Sequence, residues 1–341
     1  MFIKKSQVLV IYVLISYVLF TLSCSSPGEK TQGSQPKTDD LLGELVPIAY
    51  QTVVRGLASP NPRIRTKAIE VVATTRQITL LPKVARLLKD DYPPVRFAAC
   101  LAIGDLQYSL VENSLQQLLK DEDKNVCIAA AYALSRLGFP DKLAIVRKAI
   151  ASDDQTVRAN AALLLGKAGN RDDLKFLYWA LQRDDSADKV RFTAAEAIAR
   201  LQDERIYPKL WTMLISAYAD DRVFGIRAMG TLGTEDAKNA IMTMLNDDIL
   251  EVRLAAAGQL GMLGETIGAS EVVNVFTKDK DLVSGMDEKD RQRIYVLAAL
   301  AIGEIGSQSL IEFLPRLLES ESEFVRIAAA KATLQCAMKR G

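Results

Sequence analysis

The sequence predicts an all-α fold, a solenoid of about nine two-helix repeats, and three observations carry that prediction. The first is a recurring segment, seen most clearly at residues 157–169, whose anchor position holds Arg65, Arg96, Cys127, Arg158, Arg191, Arg222, Arg253, Tyr295 and Arg326. The steps between anchors are 31, 31, 31, 33, 31, 31, 42 and 31 residues, a fixed period of the kind that marks stacked supersecondary units. The second is a column of small residues three positions past the anchor: Ala68, Ala99, Ala130, Ala161, Ala194, Gly225, Ala256, Ala298 and Ala329. Small side chains are needed where one helix approaches another closely. The third is the punctuation between helices. Acidic turns such as Asp90-Asp91, Asp121-Glu122-Asp123 and Asp247-Asp248 precede the anchored helix, and Gly138, Gly169, Gly233, Gly264 and Gly306 follow it, as N-terminal and C-terminal caps would.

In chain order, residues 1–23 read as an export signal. Lys4 and Lys5 form its positive start, and residues 8–22 are a nearly unbroken apolar run, the length of a signal core and short for a membrane span. The run ends in Thr21-Leu22-Ser23-Cys24, which resembles a bacterial lipobox with Leu one place late, and that resemblance implies lipidation at Cys24. An uncleaved N-terminal anchor is the other reading. Ser25 after the cysteine leans towards an outer membrane, by resemblance to lipoprotein sorting rules. Residues 24–40 are expected to be a flexible tether, since 25–39 lack apolar side chains other than proline.

Residues 41–341 are expected to form the solenoid. First helices are predicted over 44–58, 79–88, 110–120, 142–151, 173–182, 205–218, 236–245, 270–277 and 310–319, most with apolar residues at helical spacing, as in Leu115, Leu118 and Leu119. Pro62 and Pro93 or Pro94 suit the first turn of a second helix, where no N–H is needed. The 42-residue step marks an insertion within 276–293, whose aspartates lack the spacing of a Ca²⁺-binding loop.

Composition excludes several functions. The chain contains no histidine, so Ser-His-Asp and Cys-His nucleophiles and His-ligated metals are out. A net charge of +1 gives no sign of nucleic-acid binding. Cys100, Cys127 and Cys336 have neither zinc nor disulfide-framework spacing and read as small core residues. No cofactor or metal is expected.

The pattern Asp-x-x-x-Val-Arg-x-x-Ala-Ala-x-x-Leu-Gly-x-x-Gly is similar to the HEAT-like repeat of the phycobilisome-lyase type. That resemblance implies a right-handed α-solenoid with second helices lining the concave face and an arginine ladder pairing with the acidic turns, interrupted at Cys127 and Tyr295. Some relatives are lyases handling bilin chromophores, which leaves a lyase-like accessory role open. Deoxyhypusine hydroxylases need His-Glu metal ligands, which this chain lacks.

At about 100° per residue, positions two, five and nine past the anchor face away from the neighbouring helices. The expectation is an exposed apolar stripe of Leu101, Tyr132 and Leu163, a basic strip of Arg136, Lys167, Arg200 and Arg227, and Phe224 beside them. An apolar stripe flanked by charge suits a partner surface. The expected function is therefore an envelope-anchored, non-catalytic scaffold that binds a protein or peptide through its concave face. A binder of anionic glycan or lipid headgroups through the basic strip is the alternative.

Overall fold

The structure, a computed structural model, describes residues 36–340. The export signal, Cys24 and most of the tether lie outside the described residues. Helix α1 (Pro36–Leu57) begins inside the segment read as tether and pairs with α2 (Pro62–Thr74). The next pairs are α3 (Leu81–Arg86) with α4 (Pro93–Asp105), α5 (Glu112–Leu118) with α6 (Lys124–Arg136), and α7 (Leu143–Ala149) with α8 (Gln155–Ala168). Then come α9 (Leu174–Gln182) with α10 (Asp188–Arg200), α11 (Tyr207–Leu214) with α12 (Ala219–Leu232), and α13 (Glu235–Thr243) with α14 (Leu250–Met262). Helix α15 (Ala269–Phe276) is followed by the insertion, which folds as the short α16 (Lys280–Gly285) with Val283 buried, and then by its partner α17 (Glu288–Ile305). The last outer helix is split into α18 (Gln308–Ile311) and α19 (Leu314–Leu318), ahead of α20 (Glu323–Met338).

Local chemistry explains these boundaries. Asn61, Asp123, Asp154 and Asp287 cap inner helices by accepting backbone N–H bonds. Gly138, Gly169, Gly233, Gly264 and Gly306 take positive φ eleven residues past their anchors, and Arg76, Gln107 and Gln202 adopt the same left-handed turn where the repeat has no glycine.

The column of small residues is buried throughout, from Ala68 to Ala329. At Gly225 a Cβ would lie 2.9 Å from Met213 of the paired outer helix, so this column sets the inner-to-outer contact. Ala161→Leu is expected to lose about 1–3 kcal/mol by overpacking, measured by urea denaturation; an unchanged midpoint would remove the close-approach argument.

The arginine ladder holds the turns. Arg65, Arg96 and Arg222 each pair with an aspartate of the next repeat's turn, Asp90, Asp121 and Asp247, at 2.7–2.8 Å. Each also donates to the carbonyl six residues back. At the first break in the ladder the Cys127 Sγ takes over that second role, donating to the Asp121 carbonyl at 3.0 Å. At the second, the Tyr295 ring stacks with Phe276 and its hydroxyl accepts from Arg316.

The ends of the solenoid meet. Each inner helix packs on the next, and the sequence continues around: α20 packs on both α1 and α2. A Cβ at Gly56 of α1 would lie 2.6 Å from Ile327 Cδ1 of α20, and Ser59 donates to Glu323 at 3.4 Å. The terminal helix is covered by the first one, and the nine repeats of the described residues form a closed ring.

Candidate functional site

Ring closure decides what the inner helices can offer. Nine repeats in one turn means a rotation of about 40° at each, far more than a gently curved solenoid uses. With inner helices about 9 Å apart and a half-width of ~5 Å, the central bore is roughly 8 Å in radius. Long side chains that extend beyond this envelope meet in it, as Lys167 does with Asp105 two repeats away.

The residues five and nine positions past each anchor do face the bore, as the helical angles require, but they are not exposed. Leu101, Tyr132 and Leu163 are 6%, 1% and 8% accessible. They form part of the packed interior and not an exposed stripe. The Tyr132 hydroxyl donates to Asp105 Oδ1 at 2.6 Å, and burial together with that carboxylate pushes its phenol well above the ordinary range.

The basic strip is equally changed by curvature. Lys167 is bound to Asp105 across the bore at 2.9 Å. Arg200 and Arg227 share Glu196, at 3.3 and 2.5 Å. Arg227 also lies over the Phe224 ring, 5.0 Å from its centroid, and that ring stacks on Phe192. Arg136 is half-buried, with its backbone carbonyl accepting from Gln107. The strip expected to attract an anionic ligand is therefore largely neutralised by carboxylates that sequence spacing did not connect to it. Opposite, Lys67 pairs with Glu70 at 3.3 Å. Burial, with Lys331 and Arg227 adding to it, holds its ammonium below the usual lysine range.

Above this charged belt the bore widens. A cavity of about 150 Å³ opens over α2, α4 and α8, with Phe97, Leu101 and Pro93 on its apolar wall and Thr66, Asn160 and Asp123 on its polar side. Glu70 and the Asp105–Lys167 pair form its floor. The sequence reading found Leu101 and Lys167 but missed Phe97 and Asn160. Phe97 sits one residue past its anchor, a position that does not point straight into a wide groove, whereas Asn160, two past its own, shares the groove-facing position of Phe224 and was passed over as a single polar residue. Only a narrow bore brings them to one cavity.

Among the described residues the cysteines offer no low-pKa thiol. Cys100, Cys127 and Cys336 are free, and burial pushes Cys336 up to about 11 and Cys100 higher still. Among the described residues no cluster of His, Cys, Asp and Glu could hold a metal ion, and no helix is long and apolar enough to cross a membrane.

Residues 81–156 and 145–223 match the family model for HEAT repeats. Among solved structures the chain is similar to human deoxyhypusine hydroxylase in complex with glycerol, at 15% identity and a TM-score of 0.38, over 78% of this chain and 99% of that one. It is also similar to the complex of CpcE and CpcF of phycocyanin lyase from Nostoc sp. PCC7120, at 16% identity and a TM-score of 0.41, over 74% of this chain and 94% of that one. Kap121p matches at 16% identity and a TM-score of 0.32, over 83% of this chain and 37% of that one. These likenesses are to overall helical architecture and carry no functional argument. No curated protein sequence matches the chain.

Proposed function

We propose that this HEAT-repeat protein is an envelope-anchored, non-catalytic scaffold that captures a protein partner at the mouth of its bore. The observation that carries the reading is the cavity of about 150 Å³ beside Phe97 and Leu101. An apolar space of that size accepts one ring-sized group. It is smaller than the pockets that enclose a cofactor or a drug-sized ligand. One aromatic or aliphatic side chain of a partner would be the anchor, with Thr66 and Asn160 binding the peptide backbone around it. Interfaces commonly concentrate their binding energy in such an anchor and its pocket. The apolar run at residues 8–22 and the lipobox-like Cys24 support export and attachment to a membrane, and the identity of Ser25 favours the outer membrane over the inner.

Filling the cavity tests this. Ala98 lines it and is half-buried, so Ala98→Trp occupies the space without adding charge. Crosslinking and affinity capture from intact envelopes should recover a protein with the wild type that the variant loses at least tenfold, while both melt alike. Equal recovery by the two proteins would remove the cavity from the binding site.

A further inference from the structure

We propose that one rim of the ring is a membrane-contact surface, formed by an arc of exposed apolar loop tips around the point where the N-terminal segment joins the solenoid. The proposal rests on the anchoring reading above and adds an orientation to it.

Antiparallel pairing gives the ring two rims. One carries the turns from outer to inner helices; the other carries the loops from inner helices to the next outer ones. Helix α1 runs antiparallel to α20, since Gly56 near its end meets Ile327 near the start of α20. The Pro36 end of α1 therefore lies on the second rim, beside Met338. The loops there are tied to each other: Gln107 donates to the Arg136 carbonyl, Arg171 to that of Leu201 and Gln202 to that of Thr231.

This rim is unevenly composed. In the half centred on the start of α1, four of the five loops present an exposed apolar residue, Ile267, Met338, Ile78 and Leu110, with accessibilities of 56%, 49%, 62% and 81%, and the fifth presents Ser309. Arg76, Lys339 and Arg340 are exposed among them, with Glu112 and Glu265 half-buried nearby. In the opposite half the exposed tips are Arg171, Asp172, Glu204, Arg205, Glu235 and Asp236. Singly exposed apolar residues need no explanation. Four of them gathered on the side where an apolar 15-residue run lies upstream in the sequence match a surface resting on lipid, with the exposed Arg76 placed among them for anionic headgroups. Tyr92, Ile215 and Tyr218 are also exposed, but on the other rim, a helix length of ~20 Å away.

The orientation is read with the full, lipid-anchored protein in vesicles of phosphatidylethanolamine and phosphatidylglycerol. An environment-sensitive fluorophore is placed in turn by Leu110→Cys, Ile267→Cys, Glu204→Cys and Tyr218→Cys, and quenched by bromine-labelled lipid. Labels at 110 and 267 should be quenched several-fold more than those at 204 and 218. Labels 110 and 267 quenched no more than 218, on protein that floats with the vesicles, would overturn the orientation while leaving anchoring intact. Failure to float would overturn both. Melting curves of each labelled protein exclude misfolding, and Ile78→Cys replaces any variant that does not fold.

Discussion

Glu196→Ala is expected to cost about 3–5 kcal/mol of folding stability, the range for removing one partner of a buried ion pair. Glu196 is 5% accessible and accepts from both Arg200 and Arg227, which come from successive inner helices. Deleting its carboxylate leaves two guanidinium groups in the bore with little access to water. The Phe224 ring beneath Arg227 cannot replace a carboxylate, since a cation–π contact contributes about 0.5–2 kcal/mol. Glu196→Gln keeps the shape and hydrogen-bonding oxygen but not the charge, so it separates electrostatics from packing. Urea denaturation followed by circular dichroism measures both. A loss below about 1 kcal/mol for Glu196→Ala would mean that the charged belt is solvated like a surface ion pair.

That belt also shows where the sequence was legible and where it was not. The period, the buried small column from Ala68 to Ala329 and the pairing of Arg65, Arg96 and Arg222 with acidic turns all follow from interactions within a repeat or between neighbours. One repeat carries enough information to predict them. Leu101, Tyr132 and Leu163 point where the helical angles place them, yet they are buried. Their exposure depends on curvature, which is a sum over all nine repeats and is written in no single one. Two signals bore on it. Glycines recur eight residues past the anchor, and a Cβ at Gly104 or Gly166 would lie 2.8 Å from the Cα of Ala133 or Ala197 on the next inner helix. Close approach on the inner side alone wedges the stack inward. The second signal was the presence of both signs at the bore positions, Glu70 and Glu196 against Arg227 and Lys331, which suits side chains that meet one another across a narrow space. The Asp105–Lys167 pair, joining the second repeat to the fourth, was not recoverable from nearest-neighbour spacing.

Ile327→Ala is expected to cost about 2–5 kcal/mol, the usual range for emptying a buried isoleucine site. The reason is the seam. Ile327 sits on the last helix of the chain, where an open stack would leave its outer face in water and the same substitution would change stability by no more than about 0.5 kcal/mol. Here it is 5% accessible, because its side chain fills the space over Gly56 of α1. Open repeat arrays also fray from their ends, since the terminal units have one neighbour instead of two. Contacts of α20 with α1 and α2 give both terminal repeats a second neighbour. Amide exchange in α20 of the wild type should therefore be as slow as in α8 at the middle of the chain, and Ile327→Ala should accelerate exchange in α1 and α20 more than in α8. Fast exchange at α20 in the wild type, together with a near-zero cost for the substitution, would show that the ring opens in solution. The packed bore would then become the concave groove that the helical angles alone describe.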